Sequence, residues 1–302
     1  MTECIVFLPI IVIVCIIIAI KIISFQRIFS SREYYKQFTH IKETGNFEEV
    51  KPLFNFNGEK EISVLLIHGF SASSSEFRFL TDEFKKNNIS FYAPTLTGFG
   101  LDDYHLLYKI KYSDWLRDVV NAHDLLKGVS DNVIVIGHSM GGLLAFHLSY
   151  LRPLKKVIMT NPYLIVKSEH RFSKVLLLNP FMWGIIRTFN PILSKEKKGL
   201  KKESEISGIS KRFAIPIFPL SIVWELWELL EKLDLKKISI EKLHIYFGKK
   251  DSTVLPQNVR GFLQSNKVLF SFTEYENSGH NILEDIENKD VIKSILEKIE
   301  ND

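Results

Sequence analysis

From about residue 50 onward, short apolar runs alternate with longer amphipathic stretches. Residues 62–67, 89–93, 133–136, 156–159, 243–247 and 269–275 read as strands, and their near-continuous apolar character is that of strands covered on both faces. The intervening segments 76–86, 113–127 and 140–151, with two more beginning at Pro256 and about Ile282, carry apolar residues at helical spacing, and Ser113 is the expected N-cap of the second. Strand and helix in alternation predict a mostly parallel sheet with helices on both faces. Between residues 161 and 240 the alternation stops. That stretch carries Pro180, Pro191, Pro216 and Pro219, and places Ile222, Leu226, Leu229, Leu230 and Leu233 on one helical face, which predicts a helical cap inserted over the sheet.

The first residues follow a different pattern. No charge occurs from Cys4 to Ile20, and Ile22, Ile23 and Phe25 extend the apolar run past Lys21, whose long side chain can reach an interface. At about 1.5 Å per residue such a helix nearly matches a hydrocarbon core of roughly 30 Å. The expected organisation is an N-terminal transmembrane anchor (1–25), a connector without clear period (26–49) and one folded domain (50–302) with its cap at about 161–240. Lys21, Arg27, Arg32 and Lys36 follow the apolar run and only Glu3 precedes it, so the bias of basic residues predicts a single-pass anchor with the domain on the cytoplasmic side. The alternatives are secretion after cleavage of a signal peptide, for which the basic start and the small-x-small site are missing, or a lipoprotein modified at Cys15, where Val14 occupies the position of a small residue.

Composition narrows the chemistry. The 302 residues are 46% hydrophobic and 25% charged, which fits a globular chain with one substantial core. With 39 basic and 35 acidic side chains, the net charge of +4 does not indicate a nucleic-acid partner. Both cysteines, Cys4 and Cys15, lie in the apolar run, so the folded part can use neither thiol catalysis nor disulfides, and no His/Asp/Glu cluster suggests a metal.

Candidate chemistry centres on Gly137-His138-Ser139-Met140-Gly141-Gly142, which follows a buried strand directly and opens a helix. That is the context in which G-x-S-x-G forms a nucleophile elbow. The turn is tight enough to strain the nucleophile, and Gly137 and Gly141 leave room around it. A serine hydroxyl needs a base. His280, in Ser278-Gly279-His280-Asn281 after the last strand, stands at the same end of the sheet, whereas His123 and His147 fall within helices and His68 and His138 within the motif loops. Asp251, after strand 243–247, is the expected acidic partner of the imidazole, and the chain order Ser139, Asp251, His280 is that of this type of site. Two backbone N–H groups must hold an oxyanion. Met140, next to the nucleophile, and Phe70, in the loop after the first strand, are the candidates, with His68 a loop organiser.

Taken together, His68-Gly69-Phe70, the segment 137–142, Asp251 with Val254-Leu255-Pro256, and Ser278-Gly279-His280 resemble the carboxylesterase and monoacylglycerol lipase branch of the α/β-hydrolases. The likeness runs from about Val64 to the C-terminus, and the stretch from Ile215 to Leu233 is similar to the small lid of those enzymes. It implies an α/β-hydrolase fold and hydrolysis of small-molecule carboxylic esters, short- to medium-chain or lipid-derived, through an acyl-serine, without metal or organic cofactor. Phe99 is a departure, standing where relatives often have histidine and able to reshape the pocket rim. Phe213, Phe218, Trp224 and Trp227 of the insertion are candidate lining for an acyl site, and equally candidate core. The basic run Lys195, Lys197, Lys198, Lys201 and Lys202 could meet anionic lipid or line a solvated loop. A thioesterase or acyltransferase of the same fold fits the same residues. From another class, so does a catalytically silent, membrane-tethered interaction module.

Overall fold

The computed structural model describes residues 2–39, 47–58, 61–101, 105–166, 168–189, 191–194 and 213–301. A long helix, α1 (Thr2–Tyr35), leads to β1 (Leu53–Asn55), β2 (Ile62–Ile67), α2 (Arg78–Lys86), β3 (Ser90–Ala93), α3 (Tyr112–Lys127), β4 (Asn132–His138), α4 (Met140–Leu151) and β5 (Leu154–Thr160). The cap follows, with α5 (Ser168–Leu178), α6 (Pro180–Phe189), β6 (Ile192–Ser194), β7 (Ile217–Pro219) and α7 (Leu220–Glu231). The chain then returns to the sheet through β8 (Ile240–Gly248), α8 (Pro256–Ser265), β9 (Ser271–Tyr275) and α9 (Asn288–Asn301).

Seven strands form one sheet in the order β1-β3-β2-β4-β5-β8-β9, parallel throughout except for β1, which runs antiparallel to β3. Strand periodicity divides the interior in two. Leu65, Ile67, Val133 and Val135 point into one core with α3, α4, α8 and the cap, whereas Val64, Leu66, Ile134 and Ile136 point into the other with α2 and α9. Parallel pairing brings the C-terminal ends of β2, β4, β5 and β8 to one rim, which is where an open α/β sheet carries its ligands. The loops with Phe70, Ser139, Asn161 and Asp251 all leave from that rim.

Several expectations are corrected. Helix α3 starts at Tyr112, so Ser113 lies inside it; the Asp114 carboxylate accepts the Lys111 N–H (2.9 Å) and Glu225 accepts that of Tyr112 (3.0 Å). Helix α9 starts at Asn288 and not near Ile282. Residues 281–287 are spent on turns in which Asp285 accepts the Gly279 N–H (2.7 Å) and Glu287 accepts that of Asn277 (2.9 Å), bonds that a helix could not make. The three-residue strands β1, β6 and β7 are too short to show a period in the sequence. Helix α1 continues ten residues past the expected end of the anchor. Its last turns form a stripe of Ser24, Arg27, Ser31, Tyr34 and Tyr35 at helical spacing, read from sequence as irregular because the stripe is polar and aromatic. The basic run from Lys195 to Lys202 lies outside the described residues.

Candidate active site

Strand β4 runs straight into the helix that Met140 opens, and Ser139 stands at the junction with φ 51° and ψ −113°. For a non-glycine residue this is a strained conformation, and its surroundings hold it. The Ser139 N–H donates to the Thr160 carbonyl (3.0 Å), and its own carbonyl accepts from Gly142 (3.0 Å) and Tyr163 (3.0 Å). A Cβ on Gly137 would strike the Gly141 backbone, and one on Gly141 would strike the Ile67 carbonyl, so both positions of the elbow need glycine.

Three distant segments meet there. His280 Nε2 lies 3.0 Å from Ser139 Oγ, and its Nδ1 lies 2.7 Å from Asp251 Oδ2. The second Asp251 oxygen accepts the N–H groups of Thr253 (2.6 Å) and Val254 (2.9 Å), so the carboxylate is held in place by its own loop. The Asp251 side chain is fully buried and that of His280 only 13% exposed, which keeps the pair from exchanging its partners for water. An Nδ1–H directed at a carboxylate leaves Nε2 as the acceptor, so the imidazole can take the hydroxyl proton while the buried anion offsets the positive charge that results. The N–H groups of Phe70 and Met140 have no acceptor among the described residues. Met140 follows Ser139 in the chain, and a Cβ added to Gly69, beside Phe70, would lie 3.3 Å from the Ser139 Cβ, so both N–H groups belong to the surroundings of the hydroxyl.

Sequence reasoning missed a residue that builds this arrangement. Asn161, fully buried, donates through Nδ2 to the carbonyls of His280 (2.7 Å) and Gly279 (3.0 Å), and its Oδ1 accepts the Gly248 N–H (3.0 Å). One amide thus ties the end of β5 to the end of β8 and to the loop carrying the imidazole. Its backbone φ of 43° lies in the left-handed region where asparagine is enriched, the one signal in Thr160-Asn161-Pro162 that could have marked it. A second buried group, Glu76, accepts the Gly69 N–H (2.8 Å) and lies 3.7 Å from His138 Nε2. It fixes the loop that presents Phe70. His68 behaves as the expected organiser of that loop, Nδ1 lying 2.8 Å from the Gly69 carbonyl and Nε2 accepting the Leu96 N–H (2.9 Å).

The four aromatic residues of the insertion separate into two pairs. Phe218 packs edge-on to Phe70 (5.2 Å), and Trp227 donates to the Tyr163 hydroxyl (3.1 Å), whose residue is bonded to the Ser139 carbonyl; these two adjoin the site. Phe213 is buried in a cluster with Tyr35, Phe38 and Phe47, and Trp224 stacks on Trp183 (5.2 Å), so both have core partners instead. Phe99 is wedged between Phe70 (5.5 Å) and Trp115 (5.4 Å).

Residues 58–287 match the Hydrolase_4 family, described as serine aminopeptidase, S33. The chain belongs to that family. A carboxylesterase of Bacillus subtilis (strain 168) is 27% identical over 117 residues, 38% of this chain and 47% of the relative. A thermostable monoacylglycerol lipase of Bacillus sp. (strain H-257) is 30% identical over 103 residues, 34% of this chain and 40% of the relative. The chain thus spans less than half the length of these curated relatives. Among solved structures, one of the metagenome-derived lipolytic enzymes LipS and LipT aligns with a TM-score of 0.69 at 24% identity, covering 84% of this chain and 99% of that one. The monoacylglycerol lipase of Paleococcus ferrophilus aligns with a TM-score of 0.61 at 16% identity, covering 82% and 97%. The fold of this family member is the α/β-hydrolase fold that the motifs imply.

Proposed function

We propose that the chain is a serine hydrolase of carboxylic esters, acting through an acyl-serine. The carrying observation is the relay in which His280 Nε2 stands 3.0 Å from Ser139 Oγ while Nδ1 stands 2.7 Å from Asp251. Ser139 Oγ attacks the ester carbonyl as its proton passes to His280 Nε2, and the carbonyl π electrons move to oxygen. The Phe70 and Met140 N–H groups stabilise that oxyanion. When the tetrahedral adduct collapses, the C–O bond to the alcohol breaks and His280 gives its proton to the leaving oxygen. Water then repeats the sequence on the acyl-serine, releases the acid and restores the hydroxyl. Asp251 holds the imidazole tautomer and remains ionised throughout. No step calls for a metal or an organic cofactor.

The curated relatives described above are named carboxylesterase and monoacylglycerol lipase, which supports esters over peptides as the substrate class; the proposed scope is short- to medium-chain or lipid-derived esters. Helix α1 is long and apolar enough to cross a membrane. In this reading it is a single-pass anchor, and the basic residues that follow it put the folded unit, 50–302, on the cytoplasmic face. A thioesterase, an acyltransferase or a silent module would use the same scaffold, so the substrate assay decides. Purified chain should turn over p-nitrophenyl esters, and Ser139→Ala should lower that turnover by at least about 10⁴-fold. Preference for acyl thioesters, or for aminoacyl p-nitroanilides, would replace the ester reading; undiminished ester turnover in Ser139→Ala would end it.

A further inference from the structure

The C-terminal half of α1 is bonded to the cap. Ser24 Oγ accepts the Ile192 N–H (3.2 Å), Arg27 Nη1 donates to the Ile192 carbonyl (2.5 Å), and the Tyr34 hydroxyl accepts the Ala214 N–H (3.2 Å). Ile192 opens β6, and Ala214 leads into β7, its partner in a two-stranded antiparallel sheet. The hairpin in turn is seated on the active-site loop. Ile215 N–H donates to the Ser71 carbonyl (2.7 Å), next to Phe70, and Phe218 of β7 packs on the Phe70 ring (5.2 Å). A short chain of contacts therefore runs from α1 through the hairpin to the loop that carries an oxyanion donor.

The level of these bonds along α1 is informative. Roughly twenty helical residues precede Ser24, and at 1.5 Å each they cover about 30 Å, the thickness of a hydrocarbon core. The hairpin meets the helix where such a core would end. Facing away from the hairpin at that level, Phe25 and Phe29 are 69% and 63% exposed. Helix α6 packs against α1, and its Phe181 and Ile185, one turn apart, are 75% and 46% exposed. Large exposed aromatic and aliphatic side chains bordering an apolar span are costly in water and favourable at the headgroup boundary.

We propose that the cap is itself a membrane-seated element: α1 holds the β6–β7 hairpin at the bilayer surface, and Phe181 and Ile185 of α6, with Phe25 and Phe29 of α1, enter the boundary between lipid headgroups and acyl chains. The inference rests on the reading of α1 as an anchor and goes beyond it, because a tether alone would leave the orientation of the site free. A cap so seated keeps the sheet rim that carries Ser139 beside esters whose chains lie in the bilayer.

The test uses the full chain in phosphatidylcholine vesicles, with Cys4→Ser and Cys15→Ser and a single nitrobenzoxadiazole label at Phe181→Cys. A control label goes at Leu269→Cys, 91% exposed just before β9, at the end of the sheet away from the site. Lipid carrying a nitroxide near the top of its acyl chain should quench the label at 181 at least about twofold more than that at 269. Equal quenching at the two sites, in protein that resists an alkaline carbonate wash, overturns the seating of the cap while leaving the anchor intact. Protein that the wash releases overturns the anchor reading itself. In the unlabelled chain, Phe181→Asp with Ile185→Asp should cut hydrolysis of a vesicle-borne monoacylglycerol about tenfold and leave p-nitrophenyl butyrate turnover unchanged; equal loss on both substrates contradicts the proposal.

Discussion

Ser139 is held in strained backbone by Thr160 and Tyr163, which lie far away in sequence, and between those two stands Asn161, which ties the His280 loop to the sheet. Replacing it with alanine would leave the carbonyls of Gly279 and His280 and the N–H of Gly248 buried without their partner. Each such group costs on the order of 1–3 kcal/mol. Asn161→Ala should therefore lower stability by about 3 kcal/mol and kcat by ten- to a hundredfold with KM little changed, since the residue positions the imidazole and touches no substrate; thermal unfolding and steady-state kinetics check both. Asn161→Asp keeps the acceptor for Gly248 but sets a buried carboxylate oxygen against the two carbonyls, and should be no milder than alanine. Ser139, Asp251 and His280 could be read from the chain because each follows a strand in a recognisable setting. Asn161 could not, for its role depends on two loops that only the folded sheet brings within reach. Trp224 and Trp227, three positions apart, show the same limit. Composition made both candidate lining, yet only Trp227 turns toward Tyr163.

The cap is attached to the body by polar contacts that have a pH dependence. Helix α7 lies over α3 and α4, where Glu225 accepts the Tyr112 N–H and pairs with Lys111 (2.8 Å), and the His147 Nε2–H donates to the Leu229 carbonyl (2.9 Å). Burial lowers the His147 pKa from 6.5 to about 4 and lowers that of His123 as well. Between those values the unfolded chain takes up a proton that native His147 refuses. The stability that exists above pH 6.5 is thus lost as pH falls toward 4, by an amount on the order of 3 kcal/mol for His147. Urea midpoints at pH 7.5 and 4.5 should show this loss, and His147→Gln should shrink it; a midpoint unchanged by the variant at both pH values would remove His147 from the account. Glu225→Ala should destabilise the chain by about 2 kcal/mol, read as a lowered Tm, by taking the charged acceptor from the half-buried Tyr112 N–H at the start of α3. The main strands and helices were evident from periodicity because each buries a regular face. The hairpin β6–β7 was not, since three residues have no measurable period and its register is set by α1 and the Ser71 loop.

Across the molecule, a chain of contacts joins α1, the cap and the Phe70 loop. The sequence indicated an anchor followed by a connector, because hydropathy detects the apolar run and is silent about a polar stripe on the same helix. Removal of residues before Ile23 keeps Ser24, Arg27 and Tyr34 and should preserve turnover of a water-soluble p-nitrophenyl butyrate within about twofold. Removal through Tyr35 takes away all three bonds to the cap and the Tyr35 ring beside Phe213, and should lower both Tm and turnover. Equal rates for the two truncations would show that the cap keeps its place without the helix. The proposed chemistry has a more direct test in the site of covalent labelling. A fluorophosphonate probe followed by peptide mapping should place one adduct on the peptide containing Ser139, strongly diminished in His280→Ala and absent in Ser139→Ala. Labelling that persists in Ser139→Ala, or an adduct mapped to another residue, would contradict the assignment of Ser139 as the nucleophile.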